Sequence, residues 1–285
     1  MYNPDAILKK VKEDQMGIKV VAIAPDTGDF DLERKGVDYD PYLQDFVTGC
    51  NGKLGNFDLK TGTTNPLVCR GLGGTSRKAI DYCKQHNIDF YTIDTGYIQP
   101  GTKKEYHRIT KNAMQNIGPC IEREHDRLAP LKWRYRNHRP GSKILVVPPS
   151  EKVMNFYGYD LNVWMQETIA EIKKYTSKDI EVRLKPSRTD RTSTNTIQQA
   201  MEDAYCVVTY NSIAATEALL YGVPAIALAQ NSATMFCNTE ISQINDLYIP
   251  DPVNITAFAA HLSYCQFTAK EMRTGVAWKI LNESS

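Results

Sequence analysis

Short apolar runs separated by polar, glycine-rich segments characterise the N-terminal part of the chain. The run over 17–25 is β-branched and predicts a buried strand. Two further short strands are predicted at 67–70 and 88–93, with a helix over 76–86 between them. This order favours a parallel sheet, because the connecting helix returns the chain to the edge where the first strand began. Residues 26–65 lack helical periodicity, so we expect loops there with at most one weak hairpin.

The alternation of strands and helices restarts after a Pro140-Gly141 pair, which marks a boundary. Strands are predicted over 143–147, 180–184, 206–209 and 223–228, and helices over 161–175, 196–203, 213–221 and 268–281. We therefore predict an α/β protein with an N-terminal domain over 1–135 and a C-terminal domain over 136–285, whose last helix can pack back on the first domain.

The charge of the whole chain is uninformative, but its distribution among segments of the chain is not even. The 285 residues include 34 Lys and Arg and 33 Asp and Glu, so the net charge is +1. Residues 123–143, however, carry seven basic and two acidic residues, whereas 144–285 carry 11 and 15. The basic segment is either a solvated linker or a contact for nucleic-acid phosphates.

Other compositional signals indicate a cytoplasmic protein without a metal. The seven cysteines form no Cys-x-x-Cys pair, and the five histidines show no zinc-binding spacing. Residues 1–14 lack the apolar core of a signal peptide, and no segment is apolar for long enough to span a membrane. The Asp-x-Asp pairs at 29–31 and 38–40 match a metal-binding pattern, but such pairs arise readily by chance.

The most informative stretch is 209–226, where a strand ends and a helix of small residues begins. It reads Thr-Tyr-Asn-Ser-Ile-Ala-Ala-Thr-Glu-Ala-Leu-Leu-Tyr-Gly-Val-Pro-Ala-Ile. Small residues let a ligand approach the backbone, and the N-terminal N–H groups with the helix dipole favour a phosphate. Glu217 lies about one helical turn beyond Ser212, where its carboxylate can accept hydrogen bonds from ribose hydroxyls. The alternative is a tightly packed helix with an ordinary cap.

This stretch resembles the donor-domain signature of the GT-B glycosyltransferases, in which a serine precedes a helix that bears Glu-Ala and ends in Gly-x-Pro. The resemblance implies two Rossmann-like domains facing a central cleft, with a nucleotide-sugar donor in the C-terminal one. By match, Ser212 and Ile213 would face the donor phosphates and Glu217 the ribose. The family's upstream acidic position is not obvious here, so retaining and inverting chemistry both stay open.

Two further segments fit the donor side of that cleft. Arg183 and Lys185 end the preceding strand and look like the Lys/His-Pro segment of polysaccharide-type transferases. A cation there would stabilise a nucleoside diphosphate leaving group, although a surface loop is the alternative. Ser150 would flank the same cleft, because ligands gather at the carboxyl ends of strands. The expected co-substrate is a UDP-sugar, UDP-glucose first, with no cofactor required.

In the N-terminal half, residues 71–76 read Gly-Leu-Gly-Gly-Thr-Ser and form a partial dinucleotide fingerprint. The signal is weak, because the third glycine position holds Ser76, and no Gly-Lys-Ser/Thr of a Walker loop follows. In a GT-B enzyme Gly73 and Gly74 would approach the donor phosphate or the acceptor. A plain tight turn is the alternative.

An inverting transferase also needs a base that deprotonates the acceptor hydroxyl. Asp94 is the first candidate because it ends a predicted strand at the expected cleft. Asp26, after the first strand, is the second candidate and His107 the third. Each of the three also fits a purely structural role.

The overall layout, in particular residues 93–97, 106–110 and 267–273, looks like a group of small bacteriophage proteins. Phage enzymes of this build are similar to the DNA glucosyltransferases that modify 5-hydroxymethylcytosine. That resemblance implies double-stranded DNA as partner and a flipped target base.

The basic segment would then lie along the duplex. Its DNA-binding candidates are Lys132, Arg134, Arg136 and Arg139. Trp133 and Tyr135 could stack on a base, or they could pack inside the protein.

Three classes of function stay open: a glycosyltransferase acting on modified DNA, the same fold acting on capsule or lipid-linked polysaccharide, and a non-catalytic nucleotide-sugar-binding module. We expect a cytoplasmic monomer without membrane contact, located in the host-cell cytoplasm if the protein is phage-encoded.

Overall fold

A computed structural model describes residues 21–22, 41–54, 60, 62–72, 74–100, 104–185 and 196–283. The chain divides into two compact units. The first unit comprises Met1–Asn116, Glu124–Lys132 and Leu262–Ser285, and the second comprises Ile117–Arg123 and Trp133–His261. The main division falls at 132/133, and the C-terminal segment from Leu262 groups with the N-terminal residues.

The sheet of the first unit has the strand order β10-β5-β4-β3-β1-β2. Its strands are β1 (Val21–Ala22), β2 (Lys53–Leu54), β3 (Leu67–Arg70), β4 (Phe90–Thr95), β5 (His107–Lys111) and β10 (Gln266–Phe267). The first four strands run parallel, which confirms the predicted parallel sheet, while β5 and β10 add antiparallel neighbours. Helix α2 (Gly74–His86) connects β3 to β4.

A helix that the sequence did not predict packs on this sheet. Helix α1 (Pro41–Gly49) lies within the segment expected to be loops, and β2 pairs in parallel with β1 rather than in a hairpin. The helix forms because Leu43, Phe46 and Val47 provide an i, i+3, i+4 apolar stripe that enters the core. The periodicity of these three residues is hard to detect in the sequence, because the surrounding segment is rich in Asp, Gly and Thr.

The C-terminal segment completes the core of the first unit. It forms two helices, α8 (Ala269–Arg273) and α9 (Val276–Glu283), where one continuous helix was predicted. The break falls at Gly275, whose φ of 82° is left-handed and open to glycine at little cost. Val276, Ala277 and Ile280 join the apolar cluster around α1.

The sheet of the second unit is wholly parallel, with the order β7-β6-β8-β9. Its strands are β6 (Lys143–Val146), β7 (Ile180–Val182), β8 (Ala204–Thr209) and β9 (Ala225–Ala227). Its helices are α3 (Glu151–Phe156), α4 (Leu161–Ile172), α5 (Ile197–Met201), α6 (Ala214–Tyr221) and α7 (Pro252–Tyr264), the last of which ends in residues of the first unit. The predicted strands and the three predicted helices of this unit are confirmed to within a few residues, whereas α3 and α7 were not predicted.

Apolar residues of strands and helices form the core of the second unit. Ile144 and Val146 of β6 and Cys206 and Val208 of β8 lie fully buried and pack with Trp164 of α4. None of the described helices is both long enough and apolar enough to cross a membrane.

The close approach of α1 to α8 gives a stability prediction. A Cβ at Gly49 would collide with the carbonyl oxygen of Met272 and would lie 2.8 Å from the backbone nitrogen of Gly275. Because backbone atoms cannot rotate away, Gly49→Ala should lower the free energy of unfolding by about 1–3 kcal/mol. Gly118, with nothing within 4 Å of an added Cβ, provides the control. Chemical denaturation of both variants checks the packing, and equal stability would contradict it.

Candidate functional site

The strand order of the second unit marks one end of its sheet as a candidate site. From β6 the chain first moves to β7 on one side, then crosses back to β8 on the other, so the winding direction reverses between β6 and β8. At such a reversal the loops after the two strands diverge and leave a crevice, which is where open α/β sheets bind ligands. The loops in question are 147–150, after β6, and 210–213, after β8.

The loop after β8 leads directly into the N-terminus of α6. The Ser212 backbone N–H donates to Oγ1 of Thr209 at 3.3 Å, and Oγ of Ser212 accepts from the Ala214 N–H at 3.2 Å. Thr209 and Asn211 are buried, whereas Ser212 and Ile213 are half-buried. The first turn of α6 therefore follows the strand end at which the winding reverses, with small side chains around it, an arrangement that favours an anion.

The loop after β9 is joined to the same helix. The hydroxyls of Thr216 and Ser232 lie 2.6 Å apart, and both residues are buried. The neighbouring Asn231 is only 1% exposed, and its Oδ1 accepts from the Ala233 N–H. Its Nδ2 has no hydrogen-bond partner among the described residues. A buried amide donor without an acceptor carries a desolvation cost of about 1–3 kcal/mol, which an additional acceptor would offset.

Aromatic side chains line the loops at this edge of the sheet. The Tyr210 ring follows β8 and makes edge contacts with Tyr157, Tyr159 and Trp164, at centroid distances of 5.6, 5.1 and 6.4 Å. Tyr157 and Tyr159 lie on the connection from α3 to α4, so they belong to the crossover that follows β6. We call Tyr157, Tyr159 and Tyr210 the tyrosine cluster.

The tyrosine cluster is bonded to the loop at α6. Tyr157 makes a side-chain hydrogen bond to Asn211, while burial raises its pKa. Burial, followed by a hydrogen bond to Tyr159, raises the pKa of Tyr210 to about 12. Tyr210 is therefore a neutral phenol at physiological pH and keeps its hydroxyl proton.

The other predicted donor residues of the second unit lie around the same strand ends. Glu217 is half-buried on α6, and Ser150 is the N-terminal cap residue of α3. The Arg183 backbone N–H donates to the Val146 carbonyl, which keeps Arg183 beside β6, whereas Lys185 is exposed. Adjacent strands are about 4.8 Å apart, so β7 and β8 are separated by roughly 10 Å, a distance that a long side chain can span in part.

In the first unit, Asp94 lies near the carboxyl end of β4 and is 53% exposed. Nη2 of Arg108, on β5, lies 2.9 Å from Oδ2 of Asp94. The other carboxylate oxygen accepts from the Thr95 N–H at 2.7 Å. Arg108 is itself buried and also donates to the Thr95 carbonyl. Asp94 thus presents an exposed carboxylate whose orientation is set by a buried guanidinium.

His107, the third candidate base, is buried rather than exposed. Its ring stacks on Tyr42 at a centroid distance of 3.8 Å, and Nε2 lies 3.4 Å from Nη2 of Arg70. Arg70, at the end of β3, also covers the Tyr42 ring at 4.3 Å. These contacts hold Tyr42, Arg70 and His107 together, and in this arrangement Asp94 is the more accessible of the two candidates.

Several predicted positions have little or no structural description. Asp26, Gly73 and both Asp-x-Asp pairs lie outside the described residues, and Gly74 is described only as the first residue of α2. In the part of the chain that is described, no group of three or more His, Cys, Asp or Glu could hold a metal ion.

Side chains of the basic segment alternate between exposed and half-buried over residues 132–136. Trp133 is half-buried, and its Nε1 donates to the Leu220 carbonyl at 3.1 Å. Tyr135 is half-buried as well, so both aromatic residues pack toward the protein. The four cations predicted to bind DNA, Lys132, Arg134, Arg136 and Arg139, are exposed, and Arg136 covers the Tyr221 ring at 4.0 Å.

The tyrosine cluster, Asn231 and Ser232 were not predicted from the sequence. One signal was present: Tyr210 immediately follows the predicted strand 206–209 and precedes Asn211-Ser212. Aromatic residues just beyond strand ends are candidates for ligand contact, since that is where α/β sheets bind ligands. The Ser232–Thr216 contact had no comparable signal, because it depends on the path of the loop after β9.

No family model matches this chain, and no curated protein matches it either. Among solved structures, it is similar to the β-Kdo 2,4 transferase of KpsC from Thermosulfurimonas dismutans, with a TM-score of 0.47 and 10% identity over 85% of this chain and 90% of that one. It is also similar to the β-Kdo 2,7 transferase of KpsC from the same organism, with a TM-score of 0.46 and 12% identity over 94% and 100% of the two chains. At these scores and identities, the two likenesses assign neither an activity nor a site to this chain.

Proposed function

We propose that this protein is a glycosyltransferase that binds a nucleotide-sugar donor at the carboxyl ends of β6 and β8. One observation carries the proposal: the reversal of strand order in the second unit coincides with the Ser212 loop and the N-terminus of α6. The same stretch holds the residues that resemble the GT-B donor signature. Strand topology and sequence motif are independent, and both favour this position.

The chemistry of the proposed site suits a nucleoside diphosphate. The N-terminus of α6 favours the phosphates, and Glu217 provides a carboxylate for the ribose hydroxyls. Arg183 and Lys185, at the end of the neighbouring strand, provide cations for the charge that develops on the leaving group. UDP-glucose is the first donor to test.

Asp94 is the proposed base for the acceptor hydroxyl. A general base must be accessible to the acceptor and hold an unprotonated oxygen. The Asp94 carboxylate is exposed, and the Arg108 guanidinium, with Nη2 2.9 Å from Oδ2, fixes its orientation. The Thr95 N–H and the Arg108 guanidinium both donate to the Asp94 carboxylate, one to each oxygen, so its position near the end of β4 is well defined.

For the acceptor, we propose 5-hydroxymethylcytosine in duplex DNA, with capsule or lipid-linked polysaccharide as the alternative. The exposed cations of the basic segment support the DNA acceptor, since they are suited to backbone phosphates. Incubation with UDP-glucose and each acceptor, followed by mass measurement of nucleosides or glycans, distinguishes the two. Nucleotide binding without transfer to any acceptor would favour a non-catalytic module.

Removing the carboxylate at the proposed ribose contact should weaken donor binding. Glu217→Gln is expected to raise the Kd for UDP-glucose by about 5- to 100-fold, because ribose hydroxyls lose a charged acceptor. Glu167→Gln, an exposed position on α4, is the control and should change nothing. Isothermal titration calorimetry measures both, and an equal Kd for the two variants would remove Glu217 from the site.

The base assignment predicts a different effect in the first unit. Asp94→Asn should leave the Kd for UDP-glucose unchanged and lower turnover by about 100-fold or more, because the acceptor proton loses its base. The control is Asp81→Asn, which alters another exposed, ion-paired aspartate of the same unit. Steady-state transfer rates compare the two variants. Full activity of Asp94→Asn would show that the base is elsewhere.

Duplex binding should depend on the exposed cations of the basic segment. The double variant Arg134→Glu, Arg139→Glu should weaken binding. It should also reduce the slope of log K against log salt by about 1–2, because about one counterion fewer is released on binding for each phosphate contact that is lost. Charge reversal at the exposed Lys173 and Lys174 is the control. Fluorescence anisotropy over a salt series provides the slope. An unchanged slope would exclude Arg134 and Arg139 from the interface.

A further inference from the structure

The tyrosine cluster has exposed aromatic surface that packing within the protein does not explain. Tyr157 is 36% exposed and Tyr159 is 45% exposed, although both rings contact the half-buried Tyr210. Tyr210 is the inner member of the cluster, and its ring also contacts Trp164. Tyr157 and Tyr159 are therefore fixed in place by ring contacts and still present surface to solvent.

The position of the cluster connects it to the proposed phosphate site. Tyr210 and Ser212 are two residues apart, so their Cα atoms are separated by at most about 7 Å. Asn211, between them, is buried and hydrogen-bonded through its side chain to Tyr157. The aromatic surface and the N-terminus of α6 are thus parts of one bonded assembly at the crevice between β6 and β8.

We infer that the tyrosine cluster is a stacking surface for the heteroaromatic base of the nucleotide, with Tyr159 as its most exposed member. This inference rests on the proposed donor site and extends it to the base. Stacking on a tyrosine suits a nucleobase because every base has a π-face. The neutral Tyr210 beneath adds no charge to the surface.

The cluster would also add a selectivity that the N-terminus of α6 lacks. Helix N–H groups bind any phosphate and do not distinguish a nucleotide from an inorganic anion. A rigid aromatic surface next to them adds affinity only for ligands that carry a base. Two rotatable bonds per tyrosine, already restricted by ring contacts, keep the entropy lost on binding small.

The test compares a ligand with a base and a ligand without one. Wild-type protein is titrated calorimetrically with UDP, GDP, ADP and CMP, and the tightest of these is then compared with inorganic pyrophosphate. In Tyr159→Leu, which keeps apolar bulk but removes the ring, nucleotide Kd should rise by about 5- to 100-fold while pyrophosphate Kd stays the same. Tyr159→Phe, which keeps the ring, should stay within a few-fold of wild type.

Tyr248→Leu is the matched control, since Tyr248 is also 45% exposed and belongs to the second unit. It should leave both dissociation constants unchanged, and thermal melts of all variants confirm that they fold. A Tyr159→Leu protein that binds the nucleotide as tightly as wild type would overturn the stacking surface while the donor site stands. Equal weakening of nucleotide and pyrophosphate would also overturn it, because Tyr159 would then only shape the phosphate site.

Two further outcomes separate this inference from the proposed function. If wild-type protein binds neither the nucleotides, UDP-glucose nor pyrophosphate, the donor site and the stacking surface both fail. If Tyr159→Leu weakens UDP-glucose but not UDP, the cluster contacts the sugar, and base stacking is overturned while nucleotide-sugar binding stands.

Discussion

The reversal of strand order between β6 and β8 is the constraint on which the proposed chemistry depends. Parallel strands require crossovers, and crossovers that leave in opposite directions separate the two following loops. One of these loops begins α6 and the other leads through α3 to the tyrosines. The N-terminus of α6 and the tyrosine cluster therefore meet because of topology, although about 50 residues separate Tyr159 from Tyr210.

Packing beneath the crevice holds these loops in position. Ile144, Val146, Cys206 and Val208 are completely buried in adjacent strands, so β6 and β8 are fixed in register below the site. The hydroxyl contact between Thr216 and Ser232 adds the loop after β9 to the same assembly. A site on a rigid base of this kind loses little conformational entropy when a ligand binds.

How far the sequence predicts the structure depends on whether each signal is local. Helix α6 was predicted to within one residue, since Asn211-Ser212 before it and Gly222 after it are local start and stop signals. Helix α1 was missed because only three apolar residues mark it within a polar segment. The prediction of one continuous C-terminal helix was wrong, because the backbone turns to positive φ at Gly275. The tyrosine cluster was missed because its contacts join residues from different loops.

The most direct test of the central claim is amide hydrogen exchange with and without saturating UDP. If the nucleotide binds at the carboxyl ends of β6 and β8, protection should increase in peptides covering 147–160 and 209–217, because ligand contacts suppress local opening of both loops. Peptides covering 67–70 and 90–95 of the first unit should exchange at unchanged rates. Protection confined to the first unit, or bound UDP with no protection in either loop of the second unit, would contradict the account.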